Sequence, residues 1–105
     1  MPKISKAARG KHRWLGLVFS ENFLEIERLK DEIDVLIENK SFKLYDFTID
    51  GFKGSCIIKI KLEDYDFVRK KFNEHSGEIV SITSSGKIRL VRLRITDYFQ
   101  RQIDD

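Results

Sequence analysis

The order in which apolar spacing switches along the chain limits its fold more than any other feature. Residues 13–20, Arg-Trp-Leu-Gly-Leu-Val-Phe-Ser, form a short apolar run with Leu15, Leu17 and Phe19 on one face, which predicts a strand. From Ser20 the period becomes helical. Phe23, Ile26, Leu29, Ile33, Leu36 and Ile37 recur at spacings of three and four, with acids between them, to Glu38 or Asn39. Ser20 or Asn22 can cap this helix, and acids in its first turn suit the helix dipole. Alternation returns in Lys43–Asp50, where Tyr45, Phe47 and Ile49 oppose Asp46, Thr48 and Asp50. It recurs in Ser55–Leu62, with Cys56, Ile58, Ile60 and Leu62 in phase. Gly51 and Gly54 lie between the two runs, so they read as a hairpin with a loop of about four residues. A second helix follows, with Asp64 as its cap, Tyr65, Val68 and Phe72 as its apolar stripe and Gly77 at its end. Glu78–Thr83 and Lys87–Ile95 then read as two strands joined by Ser84-Ser85-Gly86.

Strand, helix, strand, strand, helix, strand, with the last strand doubled into a hairpin, specifies an α+β domain. It is the ferredoxin-like split β-α-β arrangement, an antiparallel sheet with two helices on one face. The apolar phase slips in the last segment: Ile88 and Leu90 are even-numbered, whereas Val91, Leu93 and Ile95 are odd. A β-bulge near Leu90–Val91, or a strand touching apolar surface on both sides, accounts for the slip. The tail 96–105, with Tyr98, Phe99 and Ile103, reads as one helical turn or as a packed extension. Residues 1–12 are polar and basic without apolar periodicity, so a flexible arm is expected before a single domain over 13–105. A chain of 105 residues suffices for one core and not for two.

The residues that usually carry chemistry are sparse. Cys56 is the only cysteine, so neither an internal disulfide nor a thiolate cluster can form, and its mid-strand position reads as a small core residue. His12 and His75 have no Cys or His at ligand spacing, and no metal or other cofactor is implied. No Gly-x-Ser-x-Gly, P-loop or dinucleotide fingerprint occurs. An acylphosphatase-like enzyme needs a phosphate-cradling loop with an arginine after the first strand, where this chain has Ser20-Glu21-Asn22. Nothing assembles a nucleophile, a base and an orienting group, so no active site of its own is expected. No apolar run approaches the ~20 residues of a membrane span, and the N-terminus has no apolar signal stretch. A cytoplasmic protein away from membranes is expected.

The net charge is only +3, but its distribution is uneven. Lys3, Lys6, Arg9, Lys11 and Arg13, with His12 among them, precede Trp14 without an acid. Lys87, Arg89, Arg92 and Arg94 form a second acid-free group. Residues 21–38 hold Glu21, Glu25, Glu27, Asp31, Glu32, Asp34 and Glu38 against Arg28 and Lys30. Two electrostatic faces are expected, although solvated charge of an ordinary robust surface has the same composition. On a strand the second group spans ~25 Å at ~3.4 Å per residue, a match to several phosphate spacings. Arginine's planar fork suits phosphate oxygens. These ten residues, five of them from the arm and its junction together with His12, are the candidate RNA contacts. A stacking RNA recognition motif carries aromatics on its third strand, whereas Gly54–Lys61 here has none. RNA is therefore expected to be held by phosphate and shape. Trp14 reads either as a core or hinge anchor or as a stacking platform.

Two segments carry a family resemblance. Lys11-His12-Arg13-Trp14-Leu15-Gly16, opening the first strand after a basic arm, resembles the start of the archaeal ribonuclease P protein component 2 family. The run Gly54–Ile95 also resembles that family, with Cys56-Ile57-Ile58-Lys59-Ile60, then Tyr65-Asp66-Phe67-Val68, then the arginine-bearing Ile88–Arg94. Where the family has a Ser-Gly-Thr-like turn, this chain has Ile95-Thr96-Asp97-Tyr98. The resemblance implies a non-catalytic protein subunit of ribonuclease P, which removes the 5′ leader from precursor tRNA while the RNA subunit holds the catalytic metal ions. It implies as partners the ribonuclease P RNA, precursor tRNA, a larger barrel-shaped protein subunit and a second copy of the chain. A ribosomal or other ribonucleoprotein structural protein shares the same electrostatics, and only the identity of the bound RNA separates the two.

Overall fold

The computed structural model describes residues 11–74 and 77–104. Strand β1, His12–Phe19, turns Leu15, Leu17 and Phe19 to one side, and all three are buried there. A 3-10 turn at Glu21–Phe23 leads to α1, Ile26–Leu36. Strands β2, Phe42–Asp50, and β3, Lys53–Lys61, follow as a hairpin. A second 3-10 turn, Leu62–Asp64, runs into α2, Tyr65–Glu74. Strand β4, Ile79–Ser85, and α3, Ile88–Asp104, complete the described chain. The strands form one antiparallel sheet in the order β2-β3-β1-β4, with β1 and β3 central. This is the α+β, split β-α-β arrangement that the order of periodicities predicts.

The main core lies between one sheet face and the pair α1 and α2. Leu15, Leu17, Phe19, Cys56, Ile58, Ile60 and Ile79 from the sheet meet Leu29, Ile33, Ile37, Val68 and Phe72 from the helices. Burying each of the large apolar side chains contributes about 1.5–3 kcal/mol, so this layer supplies most of the driving force. Ser20 serves as the predicted cap, but for the 3-10 turn: its Oγ accepts from the Asn22 amide at 3.4 Å. Helix α1 ends in a left-handed turn at Glu38 and Asn39, φ 55° and 64°, where the Asn39 amide donates to the Asp34 carbonyl at 2.8 Å. The β2–β3 loop is two residues rather than four, because Asp50 already pairs with Lys53; Gly51 takes φ 68° in it.

Three expectations need correction. The segment read as a last strand, Lys87–Ile95, is the first half of α3, and no second hairpin forms. Its parity slip is a helical period: Ile88, Val91, Ile95 and Phe99 recur at three and four. Ser85 Oγ accepts from the Lys87 amide at 3.1 Å where the strand gives way to the helix, and Arg and Leu are good helix formers. The tail therefore continues α3. Second, β2 does not alternate without a break. Its register against β3 shifts between Tyr45 and Thr48, with Asp46 at φ 54°. The extra residue reverses the phase, so Phe47 enters the core, stacked on Phe19 at 5.6 Å, while Tyr45 turns to the opposite face. Third, His12 belongs to β1, paired with Lys61, and not to the arm.

Helix α3 covers part of the second sheet face. Val91 is fully buried there. A Cβ at Gly16 would lie 2.9 Å from Thr83 Cγ2 and 3.0 Å from both Val91 Cγ1 and Ile95 Cδ1, so glycine is what lets α3 sit this close to β1. Among the described residues no helix is long and apolar enough to cross a membrane.

Candidate functional site

From the end of β4 the helix crosses Gly16 toward β2, where Ile95 and Phe99 line a cleft with Ile49, Ser55 and Ile57. That path leaves one corner of the second face open, where β1 and β2 begin and β3 ends. The alternation that buries Leu15 and Ile58 and packs the half-buried Leu44 against the core sends their neighbours to this corner: His12 and Trp14 from β1, Lys43 and Tyr45 from β2, Lys59 and Lys61 from β3. Register makes them adjacent. Lys59 lies directly opposite Trp14 on one side and Lys43 on the other, and His12 opposes Lys61.

The Trp14 and Tyr45 rings meet edge to face, 5.3 Å apart at 70°. Lys59 Nζ stands 5.3 Å from the Trp14 ring centroid. Both aromatics are only half-buried, as is Lys59, and Lys43 and Lys61 are exposed. Beside the aromatics is a cleft of about 230 Å³ lined by His12, Ser41, Phe42, Lys43, Lys59 and Lys61, without a carboxylate. Two lysines directly opposite on adjacent strands destabilise a sheet through like-charge repulsion. An anion between the two ammonium groups relieves that cost.

The sequence-predicted cations divide into three groups. Lys3, Lys6 and Arg9, like His75, lie outside the described residues. Lys11, His12 and Arg13 lead into β1 at the open corner. Arg13 is half-buried, its guanidinium 5.8 Å from the Tyr65 ring centroid and against Gly86, so it braces the start of α3. Lys87 and Arg89 are exposed at the start of α3, next to the Trp14–Ser85 pair. Arg92 and Arg94 are the exception. Because the segment is a helix, they diverge to opposite sides of it and each is held by protein acceptors. Arg92 donates to Asp46 through Nε at 2.7 Å and Nη2 at 3.3 Å, and hydrogen bond and charge together hold its guanidinium above its ordinary value. Arg94 Nη1 donates to Thr83 Oγ1 and the Ser84 carbonyl, both at 3.1 Å. The expected row of four phosphate-spaced cations does not exist.

What the linear sequence hides is the Lys43–Lys59–Trp14–Tyr45 cluster. Its members come from three strands, and only register and the β2 bulge bring them together. Elsewhere the described residues hold no cluster of three or more His, Cys, Asp or Glu able to bind a metal ion. Cys56 is fully buried, and burial pushes its thiol up to about 12. No protein-family model, no curated protein and no solved structure matches this chain.

Proposed function

We propose that this chain is a non-catalytic, RNA-binding subunit of ribonuclease P, working in the cytoplasm alongside other protein subunits and a second copy of itself. The observation that carries RNA binding is the open corner of the sheet, where Lys43 and Lys59 face each other across β2 and β3 with no carboxylate in the adjoining cleft. Lys11 and the exposed Lys87 and Arg89 border the same corner, so one ligand carrying several phosphates can engage them together, whereas Arg13 is turned to Tyr65 on the other side of the sheet. The ribonuclease P assignment rests on the resemblance of Lys11–Gly16 and Gly54–Ile95 to that family. In this role the protein neutralises phosphates of the catalytic RNA and supports its fold, while the RNA supplies the chemistry of leader removal.

The test is binding of the full chain to ribonuclease P RNA and to an unrelated structured RNA of equal length, over a salt series. The barrel-shaped partner subunit is included in a parallel arm. Tighter binding to ribonuclease P RNA, alone or with the partner, is expected, with log affinity falling by about 0.9 per log unit of salt for each duplex phosphate neutralised. Equal affinity for both RNAs in both arms overturns the ribonuclease P assignment but leaves RNA binding standing. No affinity for either overturns both.

A further inference from the structure

We propose that Trp14 and Tyr45 form a binding site for an unpaired nucleotide, its base stacked on the Trp14 indole and its flanking phosphates met by Lys59 and Lys43. This rests on the RNA-binding reading and specifies which part of an RNA the open corner takes. A duplex presents phosphates and groove edges but keeps its base faces stacked inside, so lysines alone suffice for it. A half-buried aromatic pair among those lysines adds a surface that only an unpaired base can use. Trp14 and Tyr45 stand edge to face rather than stacked on each other, which leaves an indole face that is not consumed by the pair.

The position of Lys59 supplies the mechanism. Its ammonium lies 5.3 Å from the Trp14 ring centroid, so in the free protein a cation stands over the ring where a base can stack. An exposed cation–π contact is worth roughly 2- to 5-fold in an equilibrium constant. Base stacking on an aromatic side chain is worth roughly 5- to 150-fold per base. The exchange therefore favours the base: Lys59 leaves the ring for a phosphate, moves apart from Lys43 as the charge between them is neutralised, and the base takes its place. Because every base has a π face, the site is tolerant of sequence and selective for strandedness. The expectation that this sheet binds RNA only by phosphate and shape came from β3, which lacks aromatics. The stacking pair comes instead from β1 and β2.

Trp14 is the only tryptophan in the chain, so its fluorescence reports this site alone. The full chain is titrated with a single-stranded oligouridine, with a blunt-ended RNA hairpin of equal phosphate count closed by a non-nucleotide linker so that it has no unpaired base, and with polyglutamate, each binding also followed by anisotropy. Expected are strong quenching by oligouridine, little by the hairpin and none by polyglutamate. Trp14→Leu should weaken oligouridine binding roughly 5- to 150-fold and hairpin binding by less than about 2-fold. Lys59→Met should keep the quenching at saturation while lowering affinity and reducing the salt slope by about 0.7. Melting temperatures close to that of the unchanged chain establish that both variants fold, and Lys59→Met covers the case where Trp14→Leu does not. Oligouridine binding without quenching, equal quenching by hairpin and oligouridine, or quenching by polyglutamate overturns the site, the last pointing to an acidic protein partner. Preferential binding of ribonuclease P RNA with no quenching by oligouridine sinks the nucleotide site alone. Quenching by oligouridine without that preference sinks the ribonuclease P assignment alone.

Discussion

Gly54 and Gly16 are both close approaches, but they differ in what an added methyl would strike. At Gly54 a Cβ meets the buried Phe19 ring, with Cζ at 2.5 Å, and the rigid Thr48 carbonyl oxygen at 2.9 Å. At Gly16 it meets side-chain methyls only, Val91 and Ile95 at 3.0 Å, which yield if α3 rises slightly, and Thr83 Cγ2 of β4 at 2.9 Å, which yields by a small side-chain shift. Overpacking costs about 1–3 kcal/mol, and Gly54→Ala belongs at the top of that range, Gly16→Ala near the bottom. Urea unfolding of the two variants checks the order. Cys56 offers a second test at this scale. Burial raises its thiol from 9.0 to about 12, so well below pH 9.0 both folded and unfolded chains hold the proton and its ionisation has no effect on stability. Above that pH the unfolded chain releases the proton first, binding fewer than the folded chain, so the thiol's contribution falls as pH rises toward about 12. The slope is at most about 1.4 kcal/mol per pH unit. Cys56→Ala loses packing at pH 7, and its deficit against the unchanged chain should shrink between about pH 9 and pH 11. A deficit independent of pH would show that the thiol ionises as readily in the fold as outside it.

Among the elements, α3 separates what the sequence made legible from what it did not. Strands β1, β3 and β4 and helices α1 and α2 were legible because each carries one apolar period, and β2 was legible as a strand although its bulge, which reverses the phase after Tyr45, was not. Helix α3 was not, because its first eight residues, Ile88–Ile95, supply enough aliphatic side chains for either period. Only the longer repeat through Phe99 decides for the helix. The same misreading set Arg92 and Arg94 in one row along a strand, whereas on the helix they diverge, one toward Asp46 and the other toward Thr83 and Ser84. The open corner was half legible. Its basic entry at Lys11–Arg13 could be read directly, whereas the apposition of Lys43 with Lys59 and of Trp14 with Tyr45 depends on register between segments far apart in sequence. Helix α3 also has a stability of its own. Val91 is its one fully buried residue among those described, on the face opposite the main core. An element so anchored opens without global unfolding. Val91→Ala removes two methylene-sized groups and should cost about 2 kcal/mol. Hydrogen exchange should show protection falling across 88–101 while amides of β1 and β3 keep theirs. A uniform loss across both would show that α3 and the main core unfold as one unit.

At the scale of the whole molecule, the sheet has electrically unlike ends. Lys11, Lys43, Lys59, Lys61, Lys87 and Arg89 outnumber Glu63 and Asp64 where β1 begins, whereas Glu21, Asp50 and Glu78 outnumber Lys53 at the end where β1 stops. A net charge of +3 is too small to draw an anionic polymer to any chosen face, but this separation orients the encounter. Local placement and net charge make different predictions. Lys43→Met with Lys59→Met lowers the net charge by two and removes two phosphate contacts. The slope of log affinity against log salt should then flatten by about 1.4–1.8, from ~0.7 per single-strand and ~0.9 per duplex contact. Glu21→Gln with Asp50→Asn changes the net charge by the same amount in the opposite sense, at the far end. If contacts at the basic corner govern binding, that variant leaves the slope unchanged and at most raises the association rate. Deleting residues 1–10 removes Lys3, Lys6 and Arg9 and should flatten the slope further, by up to about 2–3, if the arm's cations reach the same RNA. Filter binding or anisotropy across a tenfold range of potassium chloride measures all three. Slopes that shift by equal and opposite amounts in the lysine and acid variants would show that net charge alone draws this protein to RNA, and would leave the open corner without a role.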